Sequence, residues 1–182
     1  MHRPWTRLRN HVTATGLVTL LLIAAAPAHA ASVDDPNNAR GPLDLKRLDA
    51  TKHDATAPLR VRLVTYGRWP ASLLAEDSQS RLNFLFNSDR SGRVDFVGEV
   101  FFRDGRLVMR IETRAGQFVR RVRVQHPTGR AITARIPRGL PNPDGNAWLA
   151  ATERYESETG FCVSICKDRI PGKGWLKVTP GQ

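Results

Sequence analysis

An antiparallel β-sandwich of seven or eight strands, jelly-roll or immunoglobulin-like and with at most one short helix, is the fold this sequence predicts. Three observations carry that expectation. From Leu43 onward apolar residues recur at every second position. Turn residues interrupt them at roughly ten-residue intervals, too often for helices to cover a single sheet. One hairpin register, set by its turn alone, brings apolar residues opposite apolar and acid opposite base. An open barrel is the second architecture compatible with these strands.

The elements follow in order. "LDLKRLDATKHD" (43–54) starts the series, and in "LRVRLVTY" (59–66) Leu59, Val61 and Leu63 alternate with arginines. "WPASLLAEDSQ" (69–79) reads either as a short helix capped by Ser72 or as a loop. "RLNFLF" (81–86) places Leu82, Phe84 and Phe86 on one side of a strand. Asp104-Gly105 is then a two-residue hairpin signal, because both residues tolerate the positive φ such a turn needs. With that turn Phe102 meets Leu107, Val100 meets Met109 and Phe96 meets Thr113 on one face. Glu99 meets Arg110 and Asp95 meets Arg114 on the other.

A second turn at Ala115-Gly116 sets Thr113 opposite Phe118, Met109 opposite Val122 and Leu107 opposite Val124. It also puts Arg110 against Arg121, a like-charge pair that costs stability unless an anion intervenes, and it points Arg120 inward. "RAITARI" (130–136) supplies a further strand, and "PRGLPNPDGN" (137–146) is a connecting loop rich in turn residues. "AWLAATERY" (147–155) and "GWLKV" (174–178) complete the sheets.

The ends define the domain. Arg3, Arg7 and Arg9 precede an apolar run, Leu17 to Ala26, about half the length a membrane span needs. Ala28-His29-Ala30 follows Pro27 with small residues at both cleavage-defining positions. Residues 1–30 are therefore expected to be a secretory signal peptide, residues 31–42 a flexible segment, and 43–182 one domain of a secreted, extracellular protein. No integral membrane association is expected after cleavage. Lys and Arg number 28 and Asp and Glu 17 in the whole chain, so losing three signal arginines leaves a net charge near +8. Such a protein is predisposed to meet polyanions. Cys162 and Cys166 are expected to form one local disulfide in an oxidising compartment, worth about 2 kcal/mol for so short a loop.

"FNSDRSGRVDF" (86–96) spaces Asn87, Asp89, Ser91 and Asp95 as a calcium loop spaces its oxygen ligands, with Gly92 at the sixth place. Two formal negatives, no closing glutamate, and Arg90 and Arg93 nearby make a polar strand-to-strand turn the competing reading. The cofactor expectation is none, or weakly bound calcium.

Three passages together, "GPLDL", "FLFNSDRSGRVDF" and "CVSICKDRIPGKG", resemble exported bacterial β-sandwich proteins related to the DOMON and family-nine carbohydrate-binding modules. The resemblance implies a sandwich that binds sugars, haem or other ligands, often with structural calcium. Asn87 stands where that pattern has an acid, and no methionine–histidine pair suits haem, so ligand identity does not transfer.

No G-x-S-x-G, H-E-x-x-H, phosphate loop or dinucleotide fingerprint is present. Glu153, Glu156 and Glu158 read as loop or solvated surface. The expected function is a non-catalytic binding module for a cell-wall or extracellular polysaccharide or another polyanion. Its candidate residues are Arg106, Arg110, Arg114, Arg121 and Arg123, with Trp69, Trp148 and Trp175 as stacking platforms. The alternatives are an interaction protein using an exposed sheet edge and, from a distant carboxylate pair, a glycan-active hydrolase. Specific nucleic-acid binding is not expected, since the basic strands lack interleaved aromatics.

Overall fold

Alternating burial builds one antiparallel sheet that curls almost into a barrel. The computed structural model describes residues 29–39, 41–88, 91–138, 147–156 and 165–179, with backbone alone at His29, Ala147, Tyr155, Glu156, Ile165 and Cys166. The strands among these residues are β1 (His29–Asp34), β2 (Leu45–Lys52), β3 (Leu59–Thr65), β4 (Arg81–Asn87), β5 (Phe96–Arg103) and β6 (Arg106–Thr113). They continue with β7 (Phe118–Gln125), β8 (Ala131–Ile136), β9 (Ala147–Glu156), β10 (Ile165–Ile170) and β11 (Leu176–Val178). Neighbours run β1-β2-β3-β8-β7-β6-β5-β4-β9-β10, and β11 pairs with β9.

The all-β antiparallel class follows the alternation, but the strands among the described residues number eleven rather than seven or eight, and ten of them share one continuous path. Two strands that the sequence expectation did not include, β1 and β10, lie at its ends: in β1 Ala31 and Val33 alternate inward within the stretch expected to be flexible, and β10 mixes charged and apolar residues. Together with β2 and β11 they form the seam, where β1 packs against β11 and β2 against β10. Both terminal strands of the path thus lie against other strands. The expected cleavage after Ala30 falls inside β1 and leaves Ala31 to Asp34 paired with Ala50 to Arg47.

The hairpin at Asp104-Gly105 has the predicted register at every rung, including Glu99 opposite Arg110 and Val100 opposite Met109. Asp104 has φ +50° and Gly105 φ +74°, the left-handed pair such a turn requires. Asp95 and Arg114 meet through the backbone, the Arg114 N–H donating to the Asp95 carbonyl at 2.8 Å.

The second turn differs. Only Gly116 has positive φ there, and Gly116 N–H donates to Thr113 O while Thr113 N–H donates to Gln117 O. Phe118 consequently faces Glu112 instead of Thr113, and the register slips by one before Arg120 faces Ile111. That bulge resolves the inward-pointing arginine: Val119 is the half-buried residue and Arg120 is exposed. The stretch after Trp69 is a single 3-10 turn, Ala71–Leu74, preceded by Pro70 without a side-chain cap. Ser72 lies inside the turn and is not its cap.

Inward residues of all the long strands meet in one core, with Phe84, Phe86, Leu48, Leu63, Met109, Ile111 and Ile132 essentially inaccessible. Gly98 sits over Met109, where a Cβ would come 2.7 Å from the sulfur and 3.4 Å from the Phe86 ring. The glycine lets the methionine cross the barrel between β5 and β4. Met109→Ala is expected to cost about 3 kcal/mol, because Val100 and Val122 cannot close the cavity. The shift in urea midpoint with an unchanged slope measures it.

Candidate anion-binding face and a buried acidic cluster

Outward positions of the same strands carry arginines. Arg60 and Arg62 stand on β3, Arg135 on β8, Arg121 and Arg123 on β7, Arg106 and Arg110 on β6 and Arg103 on β5, nearly all exposed. The register sets four like pairs face to face: Arg60 with Arg135, Arg110 with Arg121, Arg103 with Arg106 and Arg81 with Arg154. Directly opposed like charges destabilise a sheet.

Some are compensated. Glu99 bridges Arg81 at 2.9 Å and Arg110 at 3.1 Å, and Glu112 reaches Arg110 at 3.1 Å. Asp49 holds Arg62 at 3.1 Å and Arg47 at 2.6 Å. Burial opposes ionisation of Asp49, but hydrogen bonds from Arg47, Ser32 and Arg62 keep its carboxyl below the usual range. Arg60, Arg106, Arg121, Arg123 and Arg135 have no salt-bridge partner among the described residues.

The uncompensated set meets at a fork. β7 and β8 share only two rungs, Val124–Ala134 and Gln125–Thr133. The next rung would place Arg123 against Arg135, and there the strands part. The opening is a groove of about 600 Å³ lined by Arg60, Arg62, Arg123 and Arg135 with Gln125, Thr133 and Asp49, the carboxylate that holds Arg62. Arg123 also borders a second groove of about 330 Å³, with Arg106 and Arg121 over Phe101 and Val108. The two grooves form one cationic track across β3, β8, β7, β6 and β5.

Of the predicted residues, Arg106, Arg121 and Arg123 come together on this track. Arg110 is tied down by two glutamates above the Phe101 ring. Arg114 lines a separate cavity with Ser91, Arg93 and Asp95. Trp69 is corrected from platform to core: it is 3 % exposed, stacks on His126 at 4.2 Å and donates its indole N–H to Thr65 Oγ1 at 3.2 Å. Trp148 and Trp175 are half-buried, with Lys177 and Arg169 over their rings at 4.6 and 5.8 Å. They belong to β9 and the entry to β11, away from the track. Arg60 and Arg135 were missed, although "LRVRLVTY" and "RAITARI" put both at outward positions.

Of the proposed calcium ligands, Asn87, Ser91 and Asp95 are among the described residues. Asp89 lies outside the described residues. Asn87 is fully buried at the end of β4 with its amide unpartnered. Asp95 Oδ2 accepts from Ser88 N–H and Oγ–H at 2.6 and 2.8 Å, and Ser91 Oγ accepts from Arg93 N–H at 3.1 Å. Among the described residues no group of three or more His, Cys, Asp and Glu is arranged to hold a metal ion. Cys162 and the side chain of Cys166 also lie outside the described residues.

A second constellation is acidic and buried. Glu153, expected on a solvated surface, is 3 % exposed, because it shares β9 parity with Leu149 and Ala151 and points inward. Among the described residues neither of its oxygens has a hydrogen-bond partner. It pairs across the ladder with Asp168 of β10, and Asp44 and Asp35 complete the group. Burial, then the Asp168 and Asp44 charges, push Glu153 up to about 8. Burial and the Asp168 carboxylate raise Asp44 to about 6 and move Asp35 in the same direction.

Comparison with known proteins finds no family model that matches this chain and no curated protein significantly similar to it.

Proposed function

We propose that this protein is an exported, non-catalytic module that binds a linear polyanion, an anionic wall or extracellular polysaccharide being the class that fits. One observation carries the reading: the ladder between β7 and β8 ends where Arg123 would face Arg135, and four arginines line the opening. Asp49 also lines the opening but is engaged by Arg47 and Arg62, so Arg60, Arg123 and Arg135 stand together without a salt-bridge partner among the described residues; that costs stability, and an anion seated among them removes the cost. The track crosses five adjacent strands at about 4.8 Å each, so it spans roughly 20 Å. That length suits a chain of repeating charges better than one small anion.

Arginine suits the role because its planar fork engages carboxylate, sulfate or phosphate oxygens two at a time. The Cys162–Cys166 disulfide and weak calcium at Asn87, Asp89, Ser91 and Asp95 belong to the same exported reading. Mass change on reduction tests the disulfide, and a calcium titration of the melting temperature tests the ion.

Binding of the purified protein to heparin oligosaccharides and polyphosphate of graded length tests the polyanion reading. Affinity is expected to rise steeply until the ligand spans the track and to fall with added salt. Binding no stronger than that of an inert protein of equal net charge overturns it. Glu99→Gln releases Arg81 and removes one of the two carboxylates on Arg110, and it is expected to tighten binding about threefold while costing no more than about 1 kcal/mol of stability. Calorimetry and urea denaturation read the two effects.

A further inference from the structure

The buried carboxyls lie where the barrel is nearly closed. Asp168 on β10 reaches across the seam, and its Oδ2 accepts the Leu45 N–H at the start of β2 at 3.0 Å. Its Oδ1 accepts from its own chain, the Arg169 N–H, at 2.6 Å. The Asp44 carboxyl, next to Leu45 in the chain, is buried, and among the described residues its Oδ1 has no hydrogen-bond partner. Carboxyls crowded together out of water do not all ionise. Glu153 stands behind them with both oxygens buried and unpartnered, a situation a carboxylate does not tolerate but a neutral acid does. Asp35, also nearly buried, lies alongside and accepts from the Asn38 amide at 3.3 Å.

We propose that Asp44, Glu153 and Asp168 form a proton-operated latch on the seam: protonated it ties β10 to β2, and ionised it lets the two strands part.

The groups facing the latch come from every neighbouring element. Asp168 comes from β10, Glu153 from β9, Asp44 from the entry to β2 and Asp35 from the exit of β1. From β4, Leu82 is the apolar residue opposite Glu153. Arg154, Lys167 and Arg169 are the cations that line the same cavity. Arg154 is exposed and opposite Arg81, and Lys167 is exposed on the outward parity of β10. The Arg169 guanidinium donates to the Pro171 and Gly174 carbonyls of its own loop. None of the three enters the cluster to neutralise it. When protons leave, the negative charges of Asp35, Asp44, Glu153 and Asp168 face one another across the seam, and the Asp168–Leu45 bond lies between the strands they push apart.

The sign follows from the raised folded-state values of Asp44 and Glu153. Each binds its proton more tightly folded than unfolded, so its contribution is complete at acid pH. That contribution is lost as pH rises, first through about 6 for Asp44 and then through about 8 for Glu153.

Two measurements on the full chain test the latch. The melting temperature is expected to be highest near about pH 4, where both carboxyls are still protonated in the folded state, and to fall by about 5 °C by about pH 8.5. Protection of the Leu45 amide against hydrogen exchange, corrected for the intrinsic rate, is expected to fall about tenfold over the same range, while that of Met109 holds. Glu153→Gln, and separately Asp44→Asn, should flatten both profiles. Should either variant fail to fold, the wild-type exchange profile still decides. Overturning results are a wild-type profile without slope, variants that keep the full slope, or uniform loss of protection at Leu45 and Met109. Millimolar calcium restoring the acid-pH melting temperature at alkaline pH also overturns the proposal, since the cluster would then be a cation site.

Discussion

Exchanging Arg60, Arg121, Arg123 and Arg135 for glutamine is expected to weaken binding of a long polyanion about a hundredfold at low salt. The salt dependence should become shallower by about three charge contacts. The argument is geometric. Arg60 faces Arg135, Arg135 is one rung beyond the end of its ladder with Arg123, and Arg123 joins the two grooves. Removing these four leaves a β-sheet whose outer arginines are mostly those already held by Glu76, Glu99, Glu112 and Asp49. Folding should not suffer. The facing pair Arg60–Arg135 loses both members and Arg110–Arg121 loses one, so the variant is expected to be as stable as the parent or slightly more so. A control with Arg62, Arg103 and Arg110 exchanged instead should lose far less affinity and some stability. Equal losses from both sets would mean that binding follows total charge and that the fork has no special part in it.

Gly67→Ala is expected to cost about 3 kcal/mol, a large share of the ~5–15 kcal/mol that keeps a domain folded. A Cβ at this position would lie 2.7 Å from Pro42 Cα and 2.9 Å from Pro42 O. Backbone cannot rotate away as a side chain can. The segment in the way is also fixed at several points. Leu43 is fully buried, the Asp44 carbonyl accepts from Tyr66 N–H at 2.9 Å, and the Gly67 carbonyl accepts from Thr65 Oγ–H at 2.8 Å. Relief would have to move Asp44, and with it the carboxyl that meets Asp168 at the seam. Gly105→Ala is the comparison: its φ of +74° disfavours alanine, but nothing lies within 4 Å of the new Cβ. About 1 kcal/mol is expected there. Chemical denaturation of both variants measures the difference; equal losses would mean that the Pro42 contact relaxes freely.

The hairpin from Phe96 to Thr113 was legible because everything that decides it is local. Its turn allows two left-handed residues at Asp104 and Gly105, and period-two patterning assigns each flanking side chain to a face. The arginine face was legible for the same reason, since parity along a strand says outward without naming the neighbour. Neighbours were the limit. Sequence parity put Arg110 and Arg121 opposite each other and gave Arg110 Glu99 as a partner, but it did not reveal that Glu112 would hold Arg110 as well. Nor did it reveal that β8 would lie between β3 and β7 and bring Arg60 and Arg135 to Arg123. Trp69 reads as a platform only until the His126 ring, far along the chain, is stacked upon it.

By itself, then, the order of residues determined the all-β class, most of the long strands, the first hairpin register and the basic exterior, all products of interactions within a few residues. Only the tertiary structure decided the strand count, the near-closure, the fork and the burial of Glu153. Those depend on which strands far apart in the chain become neighbours. A carboxylate on an inward parity looks solvated until Asp44 and Asp168 arrive from opposite ends of the sheet to enclose it.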